Sequence, residues 1–244
     1  MTVLEALAVL AAGAVAGGVN TVVGSGSLVT FPTLLAVGYS PVTANVSNCV
    51  GLVPGGVAGS FGYRRELRGQ WRRCAVLAVG TTLGALLGGI LLLELPDAVF
   101  DAIVPALILL AVALMALRPS PKVHEGASSD KGGMAAAFGV GIYGGYFGAA
   151  QGIILMALLR FSYTENLQVL NAIKNVLAGV ANAVAGVLFI VLADVAWGAA
   201  ALIAAGSIAG SLVAARYGRR IPPEILRRVV IVYGTSVAIV LIVT

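Results

Sequence analysis

Charged side chains are scarce in this chain. They make up 10% of its 244 residues, against about 25% in soluble domains, so a water-soluble globular fold is excluded. Histidine occurs once, as His124, in a polar stretch rich in proline, glycine and serine, where no partner ligand accompanies it. The two cysteines, Cys49 and Cys74, stand alone without metal-ligand spacing and read as reduced structural residues. No Ser/His/Asp, Cys/His or paired-carboxylate set lies within the apolar sequence, which leaves no catalytic residues to nominate and speaks against an enzyme. The same poverty leaves no metal site and no cofactor motif.

What the chain has instead is apolar length. Hydrophobic residues make up 59% of it, and the mean hydropathy is +1.02. Runs long enough to cross about 30 Å of hydrocarbon as helix cover 41–62, 74–93, 98–117, 166–190, 195–215 and 223–243. A further run at 3–22 is followed by one at 27–37 that is too short to cross. Residues 132–159 are interrupted at Gly144-Gly145 and again at Gly148-Ala149-Ala150-Gln151-Gly152. Both 3–37 and 132–159 therefore read as broken-helix hairpins. The opening residues lack the basic segment of a cleavable signal, so the N-terminal helix is expected to be retained.

Positive charge orders these segments. Fourteen of the fifteen lysines and arginines fall in connecting regions or near the ends of spans: Arg64, Arg65, Arg68, Arg72 and Arg73; Arg118, Lys122 and Lys131; Arg160; and Arg216, Arg219, Arg220, Arg227 and Arg228. The loops between them carry Glu94, Asp97 and Asp194 and no basic residue. Assigning the basic loops to the cytoplasm places both termini outside. It also makes 132–244 an upside-down repeat of 1–117 across a cytoplasmic linker at 118–131. The expected fold is an all-α integral membrane protein of two inverted repeats, each a broken-helix hairpin followed by three transmembrane helices. The basic pI of about 9.5 is explained by loops facing anionic headgroups and calls for no nucleic acid.

Chemistry is expected where apolar runs break. Gly24-Ser25-Gly26-Ser27 lets the chain turn and lets a ligand approach backbone, and a helix starting near Ser27 would turn N–H groups and partial positive charge toward an anion. Gly148 and Gln151 mark the matching break in the second half. The next span of each half carries a polar stripe: Asn45, Ser47 and Asn48, then Asn171, Lys174 and Asn175. Asn171, Lys174, Asn175 and Asn182 are spaced by three, four and seven, so they share one helical face.

Lys174 is the fifteenth basic residue, alone inside an apolar run. A charge at a helix centre costs roughly 2.5–3.5 kcal/mol on insertion scales, so it must meet a bound anion, snorkel toward the cytoplasm about 12 Å away along the axis, or pair with a distant acid such as Asp101. Together with the glycine breaks and amide donors, it outlines an anion site.

Four stretches in this order resemble the TauE/SafE family of sulfite exporters and sulfur-anion permeases: Gly24-Ser25-Gly26-Ser27 with Pro32, Ala44-Asn45-Val46-Ser47, Tyr143-Gly144-Gly145-Tyr146-Phe147-Gly148, and Ala172-Ile173-Lys174-Asn175. The resemblance implies a secondary transporter in the cell membrane that moves sulfite, thiosulfate or a small organosulfonate, with the two hairpins and the spans after them forming the site. Export by alternating access is the leading expectation. Uptake of another small anion, or a non-transporting assembly partner, are the alternatives. The expected partners are a small anion and the lipid bilayer, and homo-oligomerisation stays open.

Overall fold

The structure, a computed structural model, describes residues 1–117, 130–217 and 231–232. All regular structure among them is helical: α1 (Val3–Val22), α2 (Ser27–Ala36), α3 (Pro41–Gly62), α4 (Trp71–Glu94), α5 (Asp97–Leu117), α6 (Asp130–Tyr146), α7 (Gln151–Ser162), α8 (Leu167–Leu192) and α9 (Trp197–Tyr217). The chain is an all-α membrane protein. Within the described residues α1, α4, α5, α8 and α9 are long and apolar enough to span a bilayer. α3 has the length, but Asn45, Ser47 and Asn48 dilute its hydropathy. The last expected span, 223–243, apart from 231–232, and most of the linker at 118–131 lie outside the described residues.

Local signals start the helices. Thr2 caps α1 in a reciprocal pair with Glu5: the Glu5 N–H donates to Thr2 Oγ1 at 3.3 Å, and the Thr2 N–H to Glu5 Oε2 at 2.7 Å. Ser40 caps α3 with Pro41 in its first turn, and Asn166 caps α8.

One expected break is corrected. Gly144-Gly145 does not interrupt α6, which runs on to Tyr146. The absent side chains serve packing instead, since a Cβ at Gly145 would strike the Ala85 carbonyl and one at Gly144 the Gln151 side chain. The second break also falls earlier than its full glycine cluster, and α7 begins at Gln151 and continues past Arg160 to Ser162.

Small residues bring helices together. Gly13 and Gly17 of α1 lie against the backbone of Ile203 and Ser207, while Gly206 and Gly210 of α9 lie against α1. Gly80, Gly84 and Gly88 of α4 face α6, whose Gly141 and Gly145 face α4 in turn. Spacing of four puts each set on one stripe, so the backbones themselves approach closely. Thus α1 packs along α9 and α6 along α4, and α3 packs on α9 while α8 packs on α4. The short helices stay beside their own hairpin partners, α2 on α1 and α7 on α6.

Candidate functional site

Both hairpins end their first helix with the same device. The N–H groups of Val23 and Gly24 donate to the Val19 carbonyl at 2.7 and 2.9 Å, and those of Phe147 and Gly148 donate to the Tyr143 carbonyl, both at 2.9 Å. Gly24 (φ +94°) and Gly148 (φ +73°) take the left-handed conformation that closes such an end. Ala150, at φ +58°, adopts it without being glycine, at a cost of about 1–2 kcal/mol, just before α7 begins.

The two breaks meet. The N–H of Gly152, in the first turn of α7, donates to the Gly24 carbonyl at 3.0 Å. A Cβ on either glycine would lie 2.6 Å from the other's Cα, so only glycine at both positions permits this approach.

Beside the crossing lies a cavity of about 20 Å³, walled by Asn20, Thr21 and Gly24 of the first hairpin, Gln151 of the second, Gly55, Gly56 and Gly59 of α3, and Asn175, Gly179 and Asn182 of α8. That volume holds about one water molecule. Gln151 Nε2 donates to Asn182 Oδ1 at 3.3 Å within it. Gly56 and Gly179 form a thin wall, on whose far side an apolar groove of about 420 Å³ runs between α3 and α8 past Phe61, Arg64 and Trp71.

Of the residues nominated from sequence, Gly24, Gln151 and Asn175 reach this cavity. The others tie elements together. Asn45 Nδ2 donates to the Tyr146 carbonyl at 2.9 Å, at the end of α6. Ser47 Oγ accepts the Ala196 N–H at 2.8 Å and so caps α9. Asn48 Oδ1 accepts the Thr30 hydroxyl, joining α3 to α2. Asn171 Nδ2 and Asn175 Nδ2 both donate to the Thr21 carbonyl, at 3.1 and 3.2 Å, and Lys174 Nζ donates to the Asn20 carbonyl at 2.9 Å. Lys174 is wholly buried, and among the described residues no carboxylate lies within ion-pair distance of it. Its ammonium therefore does not snorkel, and among the described residues its partner is a carbonyl rather than an acid.

Gly148 closes α6, and Ser25 and Ser27 are buried at the first break. Three donors at the N-terminus of α2 are spent internally. The Gly26 N–H goes to Asn20 Oδ1 at 2.7 Å, and those of Leu28 and Val29 go to the Ser25 and Gly26 carbonyls.

Sequence reasoning left Asn20, Thr21, Asn182 and the Gly56/Gly179 wall out of its site. Asn20 carried a readable signal, a lone amide in apolar α1 four residues before the break. Asn182 was on the recognised face of α8. The two wall glycines carried none, being two among 32.

A polytopic helical protein whose two broken hairpins meet at an amide-lined cavity has the build of a membrane transporter. The family model "Sulfite exporter TauE/SafE" matches residues 9–241, and the chain belongs to that family. It is 27% identical over 220 residues to a "Probable membrane transporter protein" of Haemophilus influenzae, covering 87% of this chain and 85% of that one. It is 25% identical over 231 residues to "Probable membrane transporter protein ORF9" of Sinorhizobium sp, covering 92% and 87%. No solved structure matches the chain. The protein is a multi-pass membrane transporter.

Proposed function

We propose that the protein exports a small sulfur oxyanion, of the sulfite, thiosulfate or organosulfonate class, across the cell membrane by alternating access. The observation that carries this reading is the cavity at the Gly24–Gly152 crossing, where both hairpins and the helices that follow them converge on amide and hydroxyl side chains. Such groups suit an oxyanion because each amide presents two donors. With room for about one water, the present conformer is closed around the site, and α3 and α8 or the hairpins part to admit the anion.

Inverted repeats related by a pseudo-twofold supply the two access states. The exchange of partners supports this: α1 lies on α9 as α6 lies on α4, and α3 lies on α9 as α8 lies on α4. Arg73 at the start of α4 pairs with Glu165 ahead of α8, which joins two regions that the charge rule assigns to one cytoplasmic face. Both termini are then external. An inside-negative potential gives each exported negative charge about 2.3 kcal/mol per 100 mV, so no coupled ion is needed.

The test is sulfite efflux from proteoliposomes at a set potential. Wild-type protein should give potential-dependent efflux, and Gln151→Ala, folded, should reduce it about tenfold, the ~1.5 kcal/mol of one hydrogen bond to a charged ligand. Absence of flux for sulfite, thiosulfate and a small organosulfonate alike would shift the assignment to another anion or to an assembly role.

A further inference from the structure

We infer that the end of α1 is a monovalent-cation site, and that the chain fills it with its own Lys174 ammonium. The break exposes carbonyls at the end of α1. In a continued helix the Gly24 N–H would bond the Asn20 carbonyl, but it turns back to Val19, and the Gly26 N–H goes to the Asn20 side chain. The Asn20 carbonyl is thereby released from the helix ladder, and the negative end of the helix dipole faces the same way.

Three side chains of α8 cover that end. Asn171 and Asn175 place neutral amides on Thr21 O, and Lys174 places the one positive charge, 2.9 Å from Asn20 O and shut off from solvent. A released carbonyl at an unwound helix end, with no carboxylate among the described residues within ion-pair distance of the ammonium on it, is a position that takes a monovalent cation.

The other hairpin shows that the closure of a broken helix does not itself demand a cation. Its Tyr146 carbonyl is covered by the neutral Asn45 amide, and Ser47, which takes the place of Lys174 when Asn48 is set on Asn175, caps α9 instead. The charge belongs to one end only. The site's cation is therefore tethered and stays with the protein, held on the carbonyl of Asn20, which with Thr21 lines the cavity. The consequence for coupling, that the anion moves without sodium, rests on the transport reading above. The site itself does not.

The experiment is thermal unfolding of purified Lys174→Ala in detergent. It compares sodium, potassium, n-propylammonium and the bulky N-methyl-D-glucammonium, all as chlorides at 100 mM, with wild type and Lys174→Arg alongside. Removing the tether opens the shell to a free ion, so sodium or propylammonium should raise the variant's midpoint by about 2–4 °C over N-methyl-D-glucammonium. Wild type and Lys174→Arg, already filled, should not respond. A variant that none of the small cations stabilises, whether it purifies folded or aggregated, overturns the proposal, as does a wild type that sodium stabilises equally. Cation rescue without sulfite flux in wild type would leave this site standing and remove the assigned cargo. Wild-type sulfite efflux that requires sodium would keep the cargo and overturn the filled site.

Discussion

The backbone N–H of Gly152 donates to the Gly24 carbonyl at 3.0 Å, and each residue's Cα stands 2.6 Å from where a Cβ on the other would sit. This contact holds the two broken hairpins together at the cavity, and it makes side-chain absence the structural requirement at both positions.

Gly24→Ala meets two penalties, the left-handed backbone at φ +94° and collision with Gly152 backbone. Together they amount to about 3 kcal/mol or more. Gly38 separates the two terms: its φ is +97° and nothing lies within 4 Å of its added Cβ, so Gly38→Ala should cost only the backbone share of about 1–2 kcal/mol. Denaturation in detergent should rank Gly24→Ala well below Gly38→Ala, and equal losses would mean that the hairpin contact is not close in solution.

Asn20 Oδ1 accepts the Gly26 N–H at 2.7 Å, bridging the first break. Asn20→Ala leaves that donor unpaired at a cost of about 1–3 kcal/mol, whereas Asn20→Asp keeps an acceptor. Hydrogen exchange at Gly26 should accelerate in the alanine variant and stay slow in the aspartate variant. Unchanged protection in both would show that another group takes the N–H.

Arg73 pairs with Glu165 while its guanidinium lies 4.3 Å from the Tyr163 ring centroid, with both charged side chains partly exposed. A double-mutant cycle with Arg73→Ala and Glu165→Ala should give a coupling of at most about 1 kcal/mol, falling with salt. Arg73→Lys should lose part of the ring contact while keeping the charge. Zero coupling at low salt would dissolve this cross-link between the start of α4 and the loop before α8.

Gly56 and Gly179 share the wall between cavity and groove, yet they differ in slack. A Cβ at Gly56 would meet Gly179 Cα at 3.3 Å, while one at Gly179 finds its nearest neighbour at 3.9 Å. Gly179→Ala should therefore melt within about 0.5 kcal/mol of wild type and Gly56→Ala lower. Because both residues line a cavity of about 20 Å³, both variants should slow anion flux. Wild-type flux in each would place the pathway elsewhere.

Much of this architecture was legible in composition. Bilayer-length apolar runs gave α3 as 41–62 and the remaining described spans to within three residues at either end, because hydrocarbon thickness and helical rise tie length to fold. Gly144-Gly145 misled, since glycine signals a turn and a close helix contact with the same letter, and only α4 alongside α6 reveals which. The helical spacing of Asn171, Lys174 and Asn175 established their common face. It could not show that the face meets carbonyls of α1 about 150 positions earlier in the chain.

The sequence by itself determined that this chain lives in a membrane, that the first hairpin breaks at Gly24, and that Asn45, Ser47 and Asn48 share one span and Asn171, Lys174 and Asn175 another. All of these follow from local hydropathy, local backbone preference and a period of 3.6. Only the tertiary structure decided what those polar groups satisfy. A helix end in hydrocarbon must find donors for its carbonyls, and whether they come from water, a ligand or another helix depends on which helix packs beside it. Here Lys174, Asn171 and Asn175 close α1, Asn45 closes α6, and the open polar surface falls to Asn20, Thr21, Gln151 and Asn182.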